Sequence, residues 1–303
     1  MAIGQYDLFD CGTVDECQNA IDNGCNIDEI RGYGTRLMYA CKDNEYEIVK
    51  YLINNGADPN LFTWGTLSRR YSPIEVAASE GYKDIIQLFY EKGGISWVTN
   101  ALNLAAGSGH MDIIDYLINI GVNINEINEA NNMTPLMIAS FHGKTDAVLR
   151  LLDANASVNI KNSFGKGAIH KTVFEFNFHI IELLYIYGCD INSQDNDGQT
   201  PLMLCAFSAN KCIENMKKLI SLGCNLDVID NAGNTALINA CKKQQHLGVK
   251  LLLESGADKT LKNKDGKLAI DYLPSLELRI LCGFDCETNE IRNEYPIISN
   301  CQF

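Results

Sequence analysis

Apolar positions along the chain fall into short clusters that repeat. The phrase Thr200-Pro201-Leu202-Met203-Leu204-Cys205-Ala206 returns as Thr35-Arg36-Leu37-Met38-Tyr39-Ala40, Ser72-Pro73-Ile74-Glu75-Val76-Ala77 and Asn100-Ala101-Leu102-Asn103-Leu104-Ala105. It returns again from Thr134, Gly167 and Thr235, and in degenerate form from Leu268. These starts lie 37, 28, 34, 33, 33, 35 and 33 residues apart. Each phrase predicts a short helix: Thr or Ser caps it, and Pro fits the first helical position, where its missing N–H costs nothing. A second phrase follows, its Gly about 21 residues after each start, as in Leu52-Ile53-Asn54-Asn55-Gly56-Ala57-Asp58. It returns from Leu117, Leu184, Leu219 and Leu252, with a fragment at Ala20 to Asp28. There an apolar helix predicts its own end at a left-handed Gly.

A turn and two helices every 33 residues, with Thr-Pro-Leu openings and Gly-Ala-Asp closings, resembles the ankyrin-repeat family. Gly109-His110 and His170 fall on that family's Gly-His and Thr-Pro-Leu-His positions, and the resemblance covers about residues 5–283. It implies an all-α solenoid of helix-turn-helix units with short β-hairpin fingers. One such helix pair cannot bury its apolar face alone, and stacked neighbours make a shared core. The boundaries read as an N-terminal capping repeat (1–30), seven units (31–260), a C-terminal capping repeat (261–283) and a tail outside the repeat (284–303). Asp197-Gly198 and Asp265-Gly266 suit fingertips that need positive φ.

The twelve cysteines then have a packing role. Cys41, Cys205 and Cys241 stand in the family's Ala-Ala slots, and Cys25, Cys189 and Cys224 follow the capping Gly. A free Cys acts there as a small hydrophobe. No Cys-x-x-Cys pair exists, and Cys282, Cys286 and Cys301 lack a fourth ligand, so neither a metal nor a cofactor is expected.

Net charge is −13, which argues against nucleic acid as the main partner. It is uneven: residues 1–160 hold 21 acidic and 10 basic side chains, residues 161–303 hold 17 and 15. The acidic half is either a solubilising surface or a match for a basic patch on a partner. No apolar stretch is long enough to cross a membrane, and the opening residues lack a secretory pattern. A cytoplasmic monomer without membrane insertion is expected.

The irregular units draw the eye to binding. The finger between Asn60 and Ser72 is long and carries Trp64, Arg69, Arg70 and Tyr71, residue types frequent at binding hot spots. The next connection, from Gly93 to Thr99 with Trp97, is short, so a long finger adjoins a missing one. In the ankyrin family, binding generally uses the concave face, the fingers and the positions after Ala-Ala. Three successive units place Phe141, Phe174 and Phe207 at one such slot, next to His142 and Glu175. These rings are either exposed anchors or a packed stripe. No P-loop, Gly-x-Ser-x-Gly or His-Glu-x-x-His motif occurs, and an enzyme is not expected.

The function implied is protein binding. One alternative is a ubiquitin-ligase adaptor: Leu273 to Leu281 resembles the start of an F-box, or the shortened F-box-like tail of poxvirus ankyrin proteins. Another is an effector of an intracellular microbe or virus, since 31 Asn, 32 Ile and only 7 Arg suit AT-rich coding. Asn60, Asn125, Asn159 and Asn192 sit where ankyrin proteins can be hydroxylated, although ordinary turn-forming Asn accounts for them equally.

Overall fold

The computed structural model describes residues 7–32, 34–61, 63–64, 70–94, 98, 100–129, 131–174, 177–208, 212–274 and 279–280, with backbone alone at 63–64, 70–71 and 174. The chain divides into two compact units, 1–160 and 161–303.

The first unit opens with a 3-10 turn at Leu8–Asp10 and helix α1 (Val14–Asp22), closed by a Thr13–Glu16 capping box. Inner helices α2 (Arg36–Lys42), α4 (Pro73–Glu80), α6 (Ala101–Ser108) and α8 (Pro135–Phe141) stack in sequence order. Outer helices α3 (Tyr46–Asn54), α5 (Lys83–Gly93), α7 (Met111–Asn119) and α9 (Thr145–Asp153) form the second layer. The core lies between the layers. Ala77, Ala78, Ala105 and Ala106 are fully buried, and their small side chains let the helices approach around Leu102, Ile114 and Leu117.

The second unit repeats the plan with α10 (Ala168–Lys171), α12 (Pro201–Phe207) and α14 (Ala236–Lys242) inside. Its outer helices are α11 (Phe178–Ile186), α13 (Ile213–Ser221) and α15 (His246–Glu254).

The expected caps form. Thr35, Ser72, Thr134, Thr200 and Thr235 each accept the N–H three residues on, at 3.2–3.4 Å. Asn100 makes no such bond, and at Gly167 the N–H instead donates to His170 Nδ1 at 3.2 Å. Left-handed glycines end the outer helices, but after α9 the same place is held by Asn155, at φ 63°. Asn tolerates that region better than other non-Gly residues.

The fingers are of two kinds. In the first unit, β1 (Ile30–Arg31) pairs antiparallel with β2 (Gly34–Thr35), and β3 (Thr63–Trp64) with β4 (Arg70–Tyr71). In the second unit the described fingers are five-residue loops starting at Asn162, Asp195, Asp230 and Asn263. Each is closed by one backbone bond of 3.0 Å from its first N–H to its fifth carbonyl. The first side chain also accepts the N–H groups two and four residues on. An Asn or Asp oxygen thus does the work that a strand ladder does elsewhere.

Candidate functional site

Two sets of surface positions could meet a partner: the ends of the inner helices and the fingers in front of them. In the second unit adjacent fingers are tied together. Asn196 N–H donates to the Phe164 carbonyl at 3.1 Å, Asn231 N–H to Asp197 at 3.0 Å and Lys264 N–H to Ala232 at 3.1 Å. Side chains on such a frame lose little further freedom when they bind.

Trp64, Arg70 and Tyr71 lie on the backbone of the long finger, where Trp64 pairs with Arg70 and Thr63 with Tyr71. Arg69 and Glu175 lie outside the described residues, as does Trp97. Phe141 ends α8 half-buried, its ring edge-on to exposed His142 at 5.0 Å. Phe207 ends α12 and is 45 % exposed, with the Lys243 ammonium 4.0 Å from its ring centre.

Phe174 departs from that shared slot. Its unit has only a four-residue inner helix, followed by a 3-10 turn at Thr172–Phe174. The carbonyls there are taken by side chains: Ile169 by the Thr172 hydroxyl (2.8 Å), Thr172 by Asn215 (2.9 Å) and Val173 by the Cys212 thiol (2.7 Å). Side chains that capture carbonyls compete with the helical ladder.

Three exposed apolar residues on the fingers escaped the repeat reading: Ile30 (54 %), Phe164 (62 %) and Ile229 (54 %). Finger positions lie outside the apolar period, so the only signal was an apolar residue in an otherwise polar turn.

Several chemically suggestive groups are structural. His110 Nε2 meets the Ser79 carbonyl at 2.8 Å. His170 is fully buried, and burial pushes its pKa down to about 4; Asp195 and the Ser193 and Gln199 backbone pull the other way. Cys41, Cys205 and Cys241 are fully buried, and Cys189 and Cys224 nearly so; only Cys25 of the six is half-buried. Burial raises the thiol pKa of Cys189 to about 12 and of Cys224 to about 11. A hydrogen bond between Cys205 and Cys212 raises the pKa of the first thiol and lowers that of the second, and both are shielded from solvent. The first-unit cleft beside Asp7, Asp10 and Glu16 holds Cys11, whose pKa burial raises to about 12, so its thiol stays protonated. Among the described residues no three His, Cys, Asp or Glu side chains gather as a metal site, and no helix is long and apolar enough to cross a membrane.

The F-box-like segment is described only in part. Leu273 is buried, its N–H donates to the Ile270 carbonyl at 3.1 Å, and its own carbonyl accepts from Arg279 at 3.3 Å. Residues 275–278 and 281–303, with Cys282, Cys286 and Cys301, lie outside the described residues.

The chain is similar to curated proteins of varied kinds. It is 30 % identical over 183 residues to ZDHHC13 of Danio rerio, named as a palmitoyltransferase, covering 59 % of this chain and 28 % of that one. It is 29 % identical over 222 residues to the human transient receptor potential cation channel A1, covering 67 % and 19 %. It is 33 % identical over 132 residues to the ankyrin repeat protein FPV031 of fowlpox virus, covering 43 % and 38 %. The chain thus spans well under half the length of each of these relatives. The family model for ankyrin repeats matches three times, over residues 9–100, 74–162 and 169–263. Between them these matches take in nearly every helix pair described above, and the chain belongs to the ankyrin-repeat family.

Proposed function

We propose that the chain is a non-enzymatic protein-binding module, and that it meets its partner on the inner-helix and finger side. One observation carries this reading. Apolar and aromatic side chains stay exposed where the repeat frame holds them out, with Phe164, Phe207 and Ile229 each about half exposed or more. Exposed apolar side chains also occur on the outer helices, at Ile186 and Leu247, but those lie away from the tied fingers. Stacked fingers hold these groups in place, and rigid aromatic anchors are what binding hot spots use. Trp64, Arg69, Arg70 and Tyr71 on the long finger, with Phe141, His142, Phe174, Glu175 and Phe207 on the inner-helix ends, make up the assigned contact set. The acidic first unit suits a partner with a basic patch. Residues 1–30 and 261–283 serve as caps, and the module acts as a cytoplasmic monomer.

Affinity capture from cytosol, read by mass spectrometry, tests it. The wild type runs beside Trp64→Ala with Arg69→Ala and Arg70→Ala, and beside Phe141→Ala with Phe207→Ala. Each variant is first checked by thermal melting. A partner held by wild type and lost from a folded variant is the expected result. Retention by both variants sinks the assignment of this face.

A further inference from the structure

Residues 240–268 break the charge pattern of the molecule. They hold seven lysines against three carboxylates, in a chain of net charge −13. Four of these lysines cluster around two rings and one finger. Lys242 Nζ lies 4.9 Å from the centre of the Tyr272 ring, and Lys267 Nζ lies 5.4 Å from the same centre. Lys243 stands 4.0 Å over Phe207. Lys264 Nζ donates to the Asn231 carbonyl at 2.6 Å, and Lys242 Nζ to Asn234 Oδ1 at 3.0 Å. All four are exposed.

Their partners are neutral. Lys166, Lys217, Lys218 and Lys250 each pair with a carboxylate, but among the described residues these four do not. Among the neighbouring acids, Asp230 is buried and accepts from the Ala232 and Asn234 N–H groups. Asp265 and Asp271 are exposed; Asp271 accepts from Leu268 N–H at 2.8 Å, and neither pairs with the four lysines among the described residues. Ring faces and amide oxygens hold the ammonium groups in position without cancelling their charge.

We propose that Lys242, Lys243, Lys264 and Lys267, with Phe207 and Tyr272, form a docking surface for an acidic segment of a protein partner. This rests on the protein-binding reading and names the chemistry of one part of it. A short Asp- or Glu-rich segment places its carboxylates on the ammonium groups and its apolar side chains against the ring edges. Nucleic acid fits less well. Phosphates repeat along the strand beyond the patch, where the net negative charge of the rest of this molecule repels them, whereas a peptide can place a few carboxylates on the lysines and apolar side chains elsewhere.

Fluorescence anisotropy with the full chain decides. The probes are a labelled peptide of about twelve residues built from Glu, Ser and two Leu, its counterpart with Lys for Glu, and an oligouridine of like length. The Glu peptide should bind at least about tenfold more tightly than the other two and weaken as NaCl rises. Lys242→Gln with Lys267→Gln should weaken it about fivefold or more, while Lys242→Arg with Lys267→Arg keeps it. Lys217→Gln, on an outer helix, should change nothing. Equal affinity across these variants overturns the proposal, as does tighter binding of oligouridine. So does binding that sedimentation traces to pairing of two copies of the chain. If the Glu peptide fails while Phe141→Ala with Phe207→Ala still releases a captured partner, the charge assignment falls and the binding face stands.

Discussion

At the scale of single residues, the repeat tolerates departures only where a neighbour compensates. Arg36 stands where other units carry Pro or Ala, at the start of a helix, where the backbone dipole disfavours a cation. It is 4 % exposed. Its Nη2 donates to the Cys11 carbonyl at 2.7 Å and lies 2.7 Å from Glu45 Oε2, at an angle that gives an ion pair without a hydrogen bond. Glu45→Gln leaves that charge unbalanced and should cost about 2 kcal/mol in urea unfolding, less than for a fully buried pair because Glu45 keeps part of its hydration. His170 supplies a pH test. Its folded pKa of about 4 lies below the ordinary 6.5, so the unfolded chain binds the proton more readily. The stability this gives is complete above pH 6.5 and is lost as pH falls toward 4, a change of about 3 kcal/mol at most. His170→Gln should flatten the dependence of the urea midpoint across that window. An unchanged slope would mean that the imidazole titrates alike in both states. The cysteines give a third test. In the native protein a small thiol reagent, followed by peptide mapping, should label Cys25 well before Cys41, Cys205 and Cys241. Equal rates would contradict their burial.

At the scale of elements, the second-unit fingers depend on close backbone approach. Gly198 has φ 76°, and a Cβ there would lie 2.8 Å from Asn231 N of the next finger. Gly266 has φ 74° and nothing within 4 Å of such a Cβ. Both Ala substitutions incur the left-handed strain, but only Gly198→Ala must also move the neighbouring backbone. It should cost at least about 1 kcal/mol more than Gly266→Ala in matched urea titrations. Equal losses would show that the fingers separate freely. The positive φ at both glycines was legible in sequence, because an Asp-Gly pair between apolar phrases has few other uses. Helix positions were legible for a related reason: the apolar spacing is itself the pattern of burial. What could not be read was anything set by another repeat. The 3-10 turn at Phe174 depends on Asn215 and Cys212, some forty residues on. The lysine surface depends on which of seven lysines share a side, and a period in the chain does not encode that. Phe141 and Phe207 close seven-residue helices, as their common slot implied, but their partners, an imidazole and an ammonium, come from the fold.

At the scale of the whole molecule, contacts run between neighbouring helix pairs within each unit, so stability adds up along the chain from repeats and their interfaces. Conditions that weaken one set of repeats therefore need not weaken all. Charge supplies such a condition. The first unit holds 21 acids against 10 bases, and the second is nearly balanced at 17 against 15. Self-repulsion opposes compact structure, and salt relieves it by shortening the Debye length from about 30 Å at 0.01 M to about 8 Å at 0.15 M. Between these salt concentrations, amides of α2 to α7 should gain exchange protection, by about 0.5–1 kcal/mol, while those of α12 to α15 change little. The contrast sets this apart from general salting-out, which strengthens apolar burial everywhere and would raise both sets together. It is also separate from the His170 effect, since at pH 7.5 that imidazole is neutral in both states. Equal gains in the two units would mean that the acidic surface is already relieved by local pairing, and the case for a basic partner on the first unit would lose its electrostatic ground.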